Sequence, residues 1–138
     1  MTDQTGSELK GKVAIVTGAG RMRGIGRGTA VVLAHMGANV VVTGTGRDPA
    51  TFPQDEKDAG WRDIQSTAEQ IESYGVKALP LVSNIADEDD VQRMVDATVA
   101  EFGRLDIIVN NAAAPYGSDR VSVLDLKAEV FRIVLDVK

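Results

Sequence analysis

The chain has 138 residues, enough for one domain with a single hydrophobic core, and its 43% hydrophobic and 25% charged residues are typical of a folded protein. The net charge of −5 excludes a general nucleic-acid binder, which needs a basic surface. With no cysteine and one histidine, the sequence excludes a disulfide framework, a thiolate metal site and a multi-histidine zinc site. The polar N-terminus, residues 1–10, and the lack of a long apolar run predict a cytoplasmic protein without a membrane segment.

The first half of the chain alternates apolar runs with a helical pattern. Val13–Val16 is the first run, apolar residues at helical spacing follow from Ile25 until Gly37, and Val40–Val42 is the second run. Neither run alternates apolar with polar residues, which is typical of parallel strands buried on both faces. Gly44–Trp61 then forms a long polar excursion, which we expect to be either a solvated insertion or a functional loop.

The second half repeats this alternation and ends on a helix. The predicted elements are a helix over Ile64–Ile71, a strand over Ala78–Val82, a helix over Val91–Phe102, a strand over Ile107–Val109 and a helix over Lys127–Val137. Pro80 places the third strand near a strand end or a sheet edge, and Asp87 is the expected N-cap of the third helix. The expected inner face of the last helix consists of Val130, Phe131, Val134 and Leu135. The order β-α-β-α-β-α-β-α predicts an α/β fold with a parallel sheet.

Four residues or runs outside the strands and the glycine-rich turn have structural interpretations. Asp55–Asp58 is expected to be a solvated face of the excursion, and His35 to be structural or to face solvent. Trp61 either packs the excursion onto the body or lines a substrate entrance. Asp106, which opens the fourth strand, is expected to be a structural hydrogen-bonding residue.

A glycine-rich turn follows the first strand, and its glycines are Gly18, Gly20, Gly24 and Gly26. Glycine tolerates positive φ and lets a phosphate approach the backbone, because no Cβ intervenes. The next helix begins around residues 24–27, so its unpaired N–H groups and its dipole point into the same hollow. In this position the turn predicts a pyrophosphate site, with a bare tight turn as the alternative.

The end of the second strand bears on the choice of dinucleotide. NAD-binding proteins usually place an Asp or Glu there to accept a hydrogen bond from the ribose 2′-hydroxyl. Here the segment Thr43–Arg47 contains no carboxylate, and three arginines are available: Arg21, Arg23 and Arg47. Because guanidinium groups suit a 2′-phosphate, the pattern favours NADP over NAD, unless these arginines are merely solvated loop charges.

These features together resemble the N-terminal part of the short-chain dehydrogenase/reductase family. The resemblance rests on the turn from Thr17 to Gly26, on Asn84-Ile85 after the third strand, and on Leu105–Ala113, which is similar to the family's Asn-Asn-Ala-Gly motif. It covers nearly the whole chain after about Leu9.

The resemblance implies a Rossmann-like doubly wound parallel sheet, with its first four strands in the order 3-2-1-4, as part of a larger seven-stranded domain. It also implies a small-molecule substrate and a homo-oligomer. The residues that it assigns to the cofactor are Gly18, Arg21, Ile25 and Gly26 at the pyrophosphate and nicotinamide ribose, Thr45 near the 2′-phosphate, Asn84 and Ile85 at the adenine, and Asn111 with Ala112 along the inner ribose.

The turn departs from the family spacing. Gly18 is six residues from Gly24 instead of four, and Gly20, Gly24 and Gly26 restore the spacing only if the register begins at Gly20. The sequence alone therefore leaves open which backbone N–H groups would meet the phosphates.

The family's catalytic groups are missing from these residues. The family uses a Tyr-x-x-x-Lys pair and a Ser, but Tyr74 is followed four residues later by Ala78 and Tyr116 by Arg120. We therefore expect nucleotide binding without turnover from residues 1–138, as the cofactor-binding half of an NADP(H)-preferring oxidoreductase. The alternatives are a non-catalytic dinucleotide-binding module or half-subunit, and a fold that binds only protein.

The fourth strand predicts a missing neighbour. In the order 3-2-1-4 this strand lies at a sheet edge, yet Ile107–Val109 is wholly apolar, whereas natural edges carry charge, bulges or proline. We expect a fifth strand from further chain or from a partner, so residues 1–138 would form an incomplete domain.

Overall fold

Four short parallel strands form the centre of the chain. The computed structural model describes residues 6–115 and 117–138, and its strands are β1 (Val13–Val16), β2 (Asn39–Gly44), β3 (Ala78–Val82) and β4 (Ile107–Val109). Neighbouring strands are parallel and the sheet order is β3-β2-β1-β4, so the predicted order 3-2-1-4 is confirmed. The third strand lies at an edge, where Pro80 is tolerated.

Five helices accompany these strands in the described residues, four of them in the predicted positions and one within the excursion, where no helix was predicted. They are α1 (Ile25–His35), α2 (Gln54–Asp58), α3 (Ile64–Glu72), α4 (Glu88–Phe102) and α5 (Ala128–Val137), with a short 3-10 turn at Pro49–Thr51. The excursion after β2 is therefore not plain loop, because it contains the 3-10 turn and α2. Within the described ranges, no helix combines the length and the apolar character that crossing a membrane requires.

The core lies on both faces of the two central strands. On one face, Val16 and Val42 pack with Ala30 and Ala34 of α1 and with Ile71 of α3. On the other face, Ile15 and Val41 pack against Met94 of α4. The prediction that β1 and β2 are buried on both faces is thus confirmed, and their fixed ends provide the support for the segments that follow them.

The outer strands and the last helix are less buried than predicted. Val82 of β3 is 68% exposed and Ile108 of β4 is 49% exposed, so the expectation of strands buried on both faces is wrong for these two. No residue of α5 is buried, and Phe131 and Leu135, expected on its inner face, are 50% and 57% exposed. The physical reason is that no element within residues 6–115 and 117–138 packs over these apolar side chains.

The start of α4 is fixed by the predicted cap. The Asp87 side chain accepts hydrogen bonds from the backbone N–H groups of Asp89 (2.9 Å) and Asp90 (3.1 Å). Such a cap satisfies two of the donors that the first helical turn leaves unpaired. It holds the segment between β3 and α4 in place at the carboxyl edge of the sheet.

Candidate functional site

The segments predicted to bind a cofactor meet at one edge of the sheet. Because all four strands are parallel, their carboxyl ends share that edge, where open α/β sheets bind their ligands. Residues 18–26 follow β1, Thr45 follows β2, Asn84 and Ile85 follow β3, and Asn111 and Ala112 follow β4. The fold therefore brings the predicted site residues to a common edge.

The turn after β1 has the backbone features of an anion site. Gly18 has a φ of +68°, and a Cβ there would lie 2.7 Å from the Cα of Ala112, so glycine is required twice over. Helix α1 begins at Ile25, and its N-cap, Gly24, makes no side-chain hydrogen bond to the first turn. Uncapped N–H groups at a helix start favour a phosphate, so the turn fits the pyrophosphate of a dinucleotide. Ile25 is 82% exposed beside it.

Gly20 bears on whether the glycine spacing of the turn begins at Gly18 or at Gly20. It does not share the positive φ of Gly18, and a Cβ there would lie 2.0 Å from Oδ1 of Asp63. Gly20 is thus small because the side chain of Asp63, which lies just after the excursion, occupies the space beside it. The tight bend lies at Gly18, and the residues by which the turn exceeds the family spacing lie between the bend and α1.

Thr17 and Asn111 join the ends of β1 and β4. The Thr17 hydroxyl donates to the carbonyl of Val109 (3.3 Å) and accepts from the backbone N–H groups of Asn111 and Ala112 (both 3.1 Å). The Asn111 side-chain amide donates to the carbonyls of Thr17 (3.0 Å) and Gly18 (3.1 Å). Sequence reasoning placed Thr17 at the start of the turn but gave it no role, although a Thr directly between the first strand and the first glycine was the available signal. The structure shows this side chain buried.

The ends of β2 and β3 form the far side of the crevice. The Ser83 N–H donates to the carbonyl of Gly44 (2.9 Å), which keeps the two strand ends together. Thr45 is exposed, and the side-chain oxygen of Asn84 accepts from the N–H of Ala86 (3.1 Å). The Asn84 N–H in turn donates to Asp90 (2.8 Å). This small, polar surface is suited to the adenosine end of a dinucleotide.

A buried ion cluster centred on Arg47 joins the excursion to Asp63, the N-cap of α3. The Nη2 and Nε of Arg47 donate to Oδ1 of Asp63 (2.7 and 3.0 Å), and its Nη1 donates to Oε2 of Glu56 (3.1 Å). The guanidinium carbon lies 4.5 Å from the centre of the Phe52 ring. Burial lowers the pKa of Arg47, but the hydrogen bonds that it donates to Asp63 and Glu56 outweigh burial and leave that pKa above its usual value. Glu56 is 3% exposed, so the expected solvated face at 55–58 is wrong at this residue.

The excursion also holds the glycine-rich turn by its backbone. Oε1 of Glu56 accepts from the N–H of Met22 (2.8 Å), and Nε1 of Trp61 donates to the carbonyl of Gly20 (2.7 Å). From α3, the Thr67 hydroxyl donates to the carbonyl of Ala19 (2.8 Å). The prediction that Trp61 packs the excursion onto the body is confirmed. The longer turn and the longer excursion are therefore two parts of one packed unit.

The three arginines expected near a 2′-phosphate differ in their surroundings. Arg47 is bound by two buried carboxylates, and Arg23 pairs with Asp55 at 2.7 Å on the surface. Arg21 is exposed. The interpretation of Arg47 as an available phosphate ligand is wrong in this structure, because its guanidinium is already paired with Asp63 and Glu56.

His35 and Asp106 have the structural roles that the sequence predicted for them. His35 packs edge-on against Tyr74, with ring centres 5.5 Å apart. Asp106 accepts from the N–H of Val13 (2.9 Å) and from Arg104, which confirms its structural role. Tyr116 lies outside the described residues, as do residues 1–5 of the polar N-terminus. In the described ranges, no group of three or more His, Cys, Asp or Glu side chains is arranged to hold a metal ion.

Known proteins share both this sequence pattern and this fold. The family model for short chain dehydrogenases matches residues 12–138. The chain is 39% identical over 108 residues to 12alpha-hydroxysteroid dehydrogenase of Clostridium sp. and 44% identical over 114 residues to the short chain dehydrogenase/reductase astE of Aspergillus oryzae. These matches cover 75% and 79% of this chain but 37% and 38% of the relatives, so the chain spans less than half of their length.

A solved structure agrees with the sequence relatives. The crystal structure of a short chain dehydrogenase from Mycobacterium paratuberculosis bound to NAD is 32% identical, with a TM-score of 0.75. The match covers 94% of this chain and 46% of that one. With its parallel sheet, its glycine-rich turn and a family match over nearly its whole length, the chain belongs to the short chain dehydrogenase family.

Proposed function

We propose that this chain is the cofactor-binding part of an oxidoreductase that moves a hydride between a nicotinamide dinucleotide and a carbonyl or alcohol carbon. One observation carries the proposal: the glycine-rich turn from Gly18 to Gly26 presents the start of α1, which has no side-chain cap, at the carboxyl edge of a parallel sheet. Membership in a family of dehydrogenases supports the reaction class.

Each strand end has a role in this proposal. The turn holds the pyrophosphate, the residues after β2 and β3 hold the adenosine end, and the residues after β4 hold the inner ribose. The proposed contacts are Gly18, Gly20, Arg21, Arg23, Gly24, Ile25 and Gly26 in the turn, Thr45 after β2, Asn84 and Ile85 after β3, and Asn111 and Ala112 after β4. Since the Asn111 amide donates to backbone carbonyls, its part is to orient the turn and not to donate to the cofactor.

A preference for NADP(H) over NAD(H) is the finer part of the proposal. It is supported by the absence of a carboxylate in Thr43–Gly46 and by the exposed Arg21. The pairing of Arg47 with Asp63 and Glu56 weighs against it, and so does the NAD held by the Mycobacterium paratuberculosis relative. The choice depends on the ribose end of the crevice, because the two cofactors differ there alone.

The residues of this chain bind and orient, and they do not supply the family's proton donor. A tyrosine with a pKa near 10 needs a neighbouring cation to exchange a proton at neutral pH, and neither tyrosine in the sequence is followed by Lys four residues later. The second candidate is a dinucleotide-binding module or half-subunit without catalysis.

We further propose that β4 is covered in the working protein. Ile108 is 49% exposed and the strand carries no charge, which is unlike a protected edge. A fifth strand, from further chain or a partner, would bury it, and a homo-oligomer would cover the apolar side of α5. Residues 1–138 would then be an incomplete dinucleotide-binding domain, and the absence of cysteine suits a cytoplasmic location.

The test is a titration of the full-length protein with NADH and NADPH, followed by fluorescence. Saturable binding of either cofactor is expected. The cofactor with the lower dissociation constant decides whether the protein prefers NADP(H) over NAD(H). Binding of neither would overturn the proposed function. Oxidation of the bound cofactor on adding a panel of carbonyl compounds supports the oxidoreductase, and binding without turnover over the whole panel supports the non-catalytic module.

A further inference from the structure

The Arg47 cluster has an excess of negative charge in a buried position. One guanidinium is bound by Asp63 and Glu56, so the three side chains carry a net charge of −1. Asp63 and Glu56 are 8% and 3% exposed, and the Arg47 side chain is 18% exposed. Charges with so little solvent around them are weakly screened, so their effect on a nearby ligand is larger than that of surface charges.

The position of Asp63 brings this charge to the ribose end of the crevice. A Cβ on Gly20, in the turn after β1, would lie 2.0 Å from Oδ1 of Asp63. A Cβ on Gly44, the last residue of β2, would lie 3.5 Å from Oδ2 of the same carboxylate. The gap between that turn and the end of the second strand is where a Rossmann unit receives the adenosine ribose. Asp63, at the start of α3, therefore places a carboxylate where the end of β2 itself has none.

The backbone of Asp63 indicates that this placement is imposed by the surroundings. Its φ of 56° and ψ of −133° are sparsely populated for a residue other than glycine. Asp63 is also the N-cap of α3, yet its side chain makes no capping hydrogen bond and turns to Arg47 instead. The ion cluster thus holds Asp63 against both local preferences.

We propose that Glu56 and Asp63 limit the binding of a 2′-phosphate, because they occupy the guanidinium of Arg47 and add negative charge beside the ribose. This inference rests on the proposed dinucleotide function and concerns the size of its preference for NADPH, which the two carboxylates reduce. A 2′-phosphate carries about two negative charges at neutral pH and would have to compete with Asp63 for Arg47. A free 2′-hydroxyl meets no such competition. Asp63 and Glu56 are accordingly specificity-determining residues, which act partly through Arg47.

The experiment compares Asp63→Asn and Glu56→Gln with the wild-type full-length protein. Both changes keep the shape and an acceptor oxygen, so the N–H of Met22 retains a partner in Glu56→Gln. The measured quantity is the ratio of the dissociation constants for NADH and NADPH. In each variant we expect the dissociation constant for NADH divided by that for NADPH to rise about tenfold, which is the effect of one charge-assisted hydrogen bond. Addition of Arg47→Met to Asp63→Asn should remove most of that gain.

Glu69→Gln is the matched control, because Glu69 pairs with Arg62 on an exposed part of α3. Its ratio should equal that of the wild type. An unchanged ratio in folded Asp63→Asn and Glu56→Gln, or an equal loss of both cofactors, would overturn the inference and leave these residues structural. If Asp63→Asn does not fold, Glu56→Gln alone decides between these outcomes. Failure of the wild type to bind either cofactor would instead overturn the proposed function.

Discussion

Two regions of the candidate site, the glycine-rich turn at the adenosine-ribose end and the surface beyond β4, differ in how many contacts this chain provides to them. At the ribose end, the glycine-rich turn is hydrogen-bonded to Glu56 and Trp61, and both side chains lie in the excursion. At the other end, beyond β4, no residue of α5 is buried and Ile108 is half exposed. A dinucleotide spans both ends, so the comparison separates what this sequence specifies by itself from what depends on a covering partner.

The largest effect is expected where the ribose end is most tightly packed. Gly20→Ala would place a Cβ 2.0 Å from a carboxylate that Arg47 holds in position. Because moving the Asp63 carboxylate would break its hydrogen bonds from Arg47, we expect a loss of about 2–3 kcal/mol in the free energy of unfolding, together with weaker cofactor binding. Urea unfolding and cofactor titration of the full-length protein measure the two effects.

Gly28→Ala is the control for that change. A Cβ at Gly28 in α1 meets nothing within 4 Å, so this variant should be as stable as the wild type or more stable by about 0.5–1 kcal/mol. Equal stability of Gly20→Ala and the wild type would show that Asp63 does not confine the turn, and the contrast between the two ends would lose its basis.

A smaller loss of stability is expected from a change at Asn111, which links the end of β4 to the turn after β1. Asn111→Ala removes the amide that donates to the carbonyls of Thr17 and Gly18, while the Thr17 hydroxyl still bonds to the backbone after β4. We expect a loss of about 1–2 kcal/mol and weaker binding of the cofactor, since the bend at Gly18 is less well held. The exposed neighbour, changed as Asn110→Ala, should leave both quantities unchanged. Equal behaviour of the two variants would contradict the proposed orienting role.

The smallest effect is expected at the opposite edge of the sheet, at Asp106. The hydrogen bond from Arg104, followed by the one from the N–H of Val13, lowers the pKa of Asp106. A lowered pKa stabilises the folded state above the unfolded pKa of about 3.9, and this stabilisation is lost as the pH falls through the folded pKa. Asp106→Asn should therefore be slightly less stable than the wild type at pH 7, with a difference that shrinks below about pH 4.

Urea unfolding at pH 7, 5 and 3 measures that difference, and Asp96→Asn on the exposed side of α4 is the control. Cofactor binding at pH 7 should be unchanged in Asp106→Asn, because this carboxylate lies at the amino end of β4. A stability difference that grows toward pH 3 would contradict the direction of the pKa shift.

Local features of the sequence predicted the local structure well. The apolar run Val13–Val16 is β1 residue for residue, and Asp87 caps α4 as expected. The cap is a contact between near neighbours in the chain. The strand can be recognised because burial on both faces requires an apolar run, although its pairing with β2 and β4 is long-range. The glycine-rich turn is also predictable from local sequence, since it lies between an apolar run and a segment with helical spacing.

Contacts between distant parts of the chain could not be predicted in this way. Glu56 lies in an acidic run that looks solvated, and only the folded chain brings it to Met22 and Arg47. Asp63 was not singled out, because no local feature of the sequence indicates that it lies beside Gly20 and the end of β2. In α5 the spacing identified the apolar side, but periodicity does not say whether anything covers Phe131 and Leu135.

A crystal structure of the full-length protein with its nicotinamide dinucleotide tests the central claim most directly. The account predicts pyrophosphate oxygens within hydrogen-bonding distance of backbone N–H groups in residues 18–26, and the adenosine ribose between Gly20 and the end of β2. A dinucleotide bound elsewhere, with the start of α1 left to solvent, would contradict it.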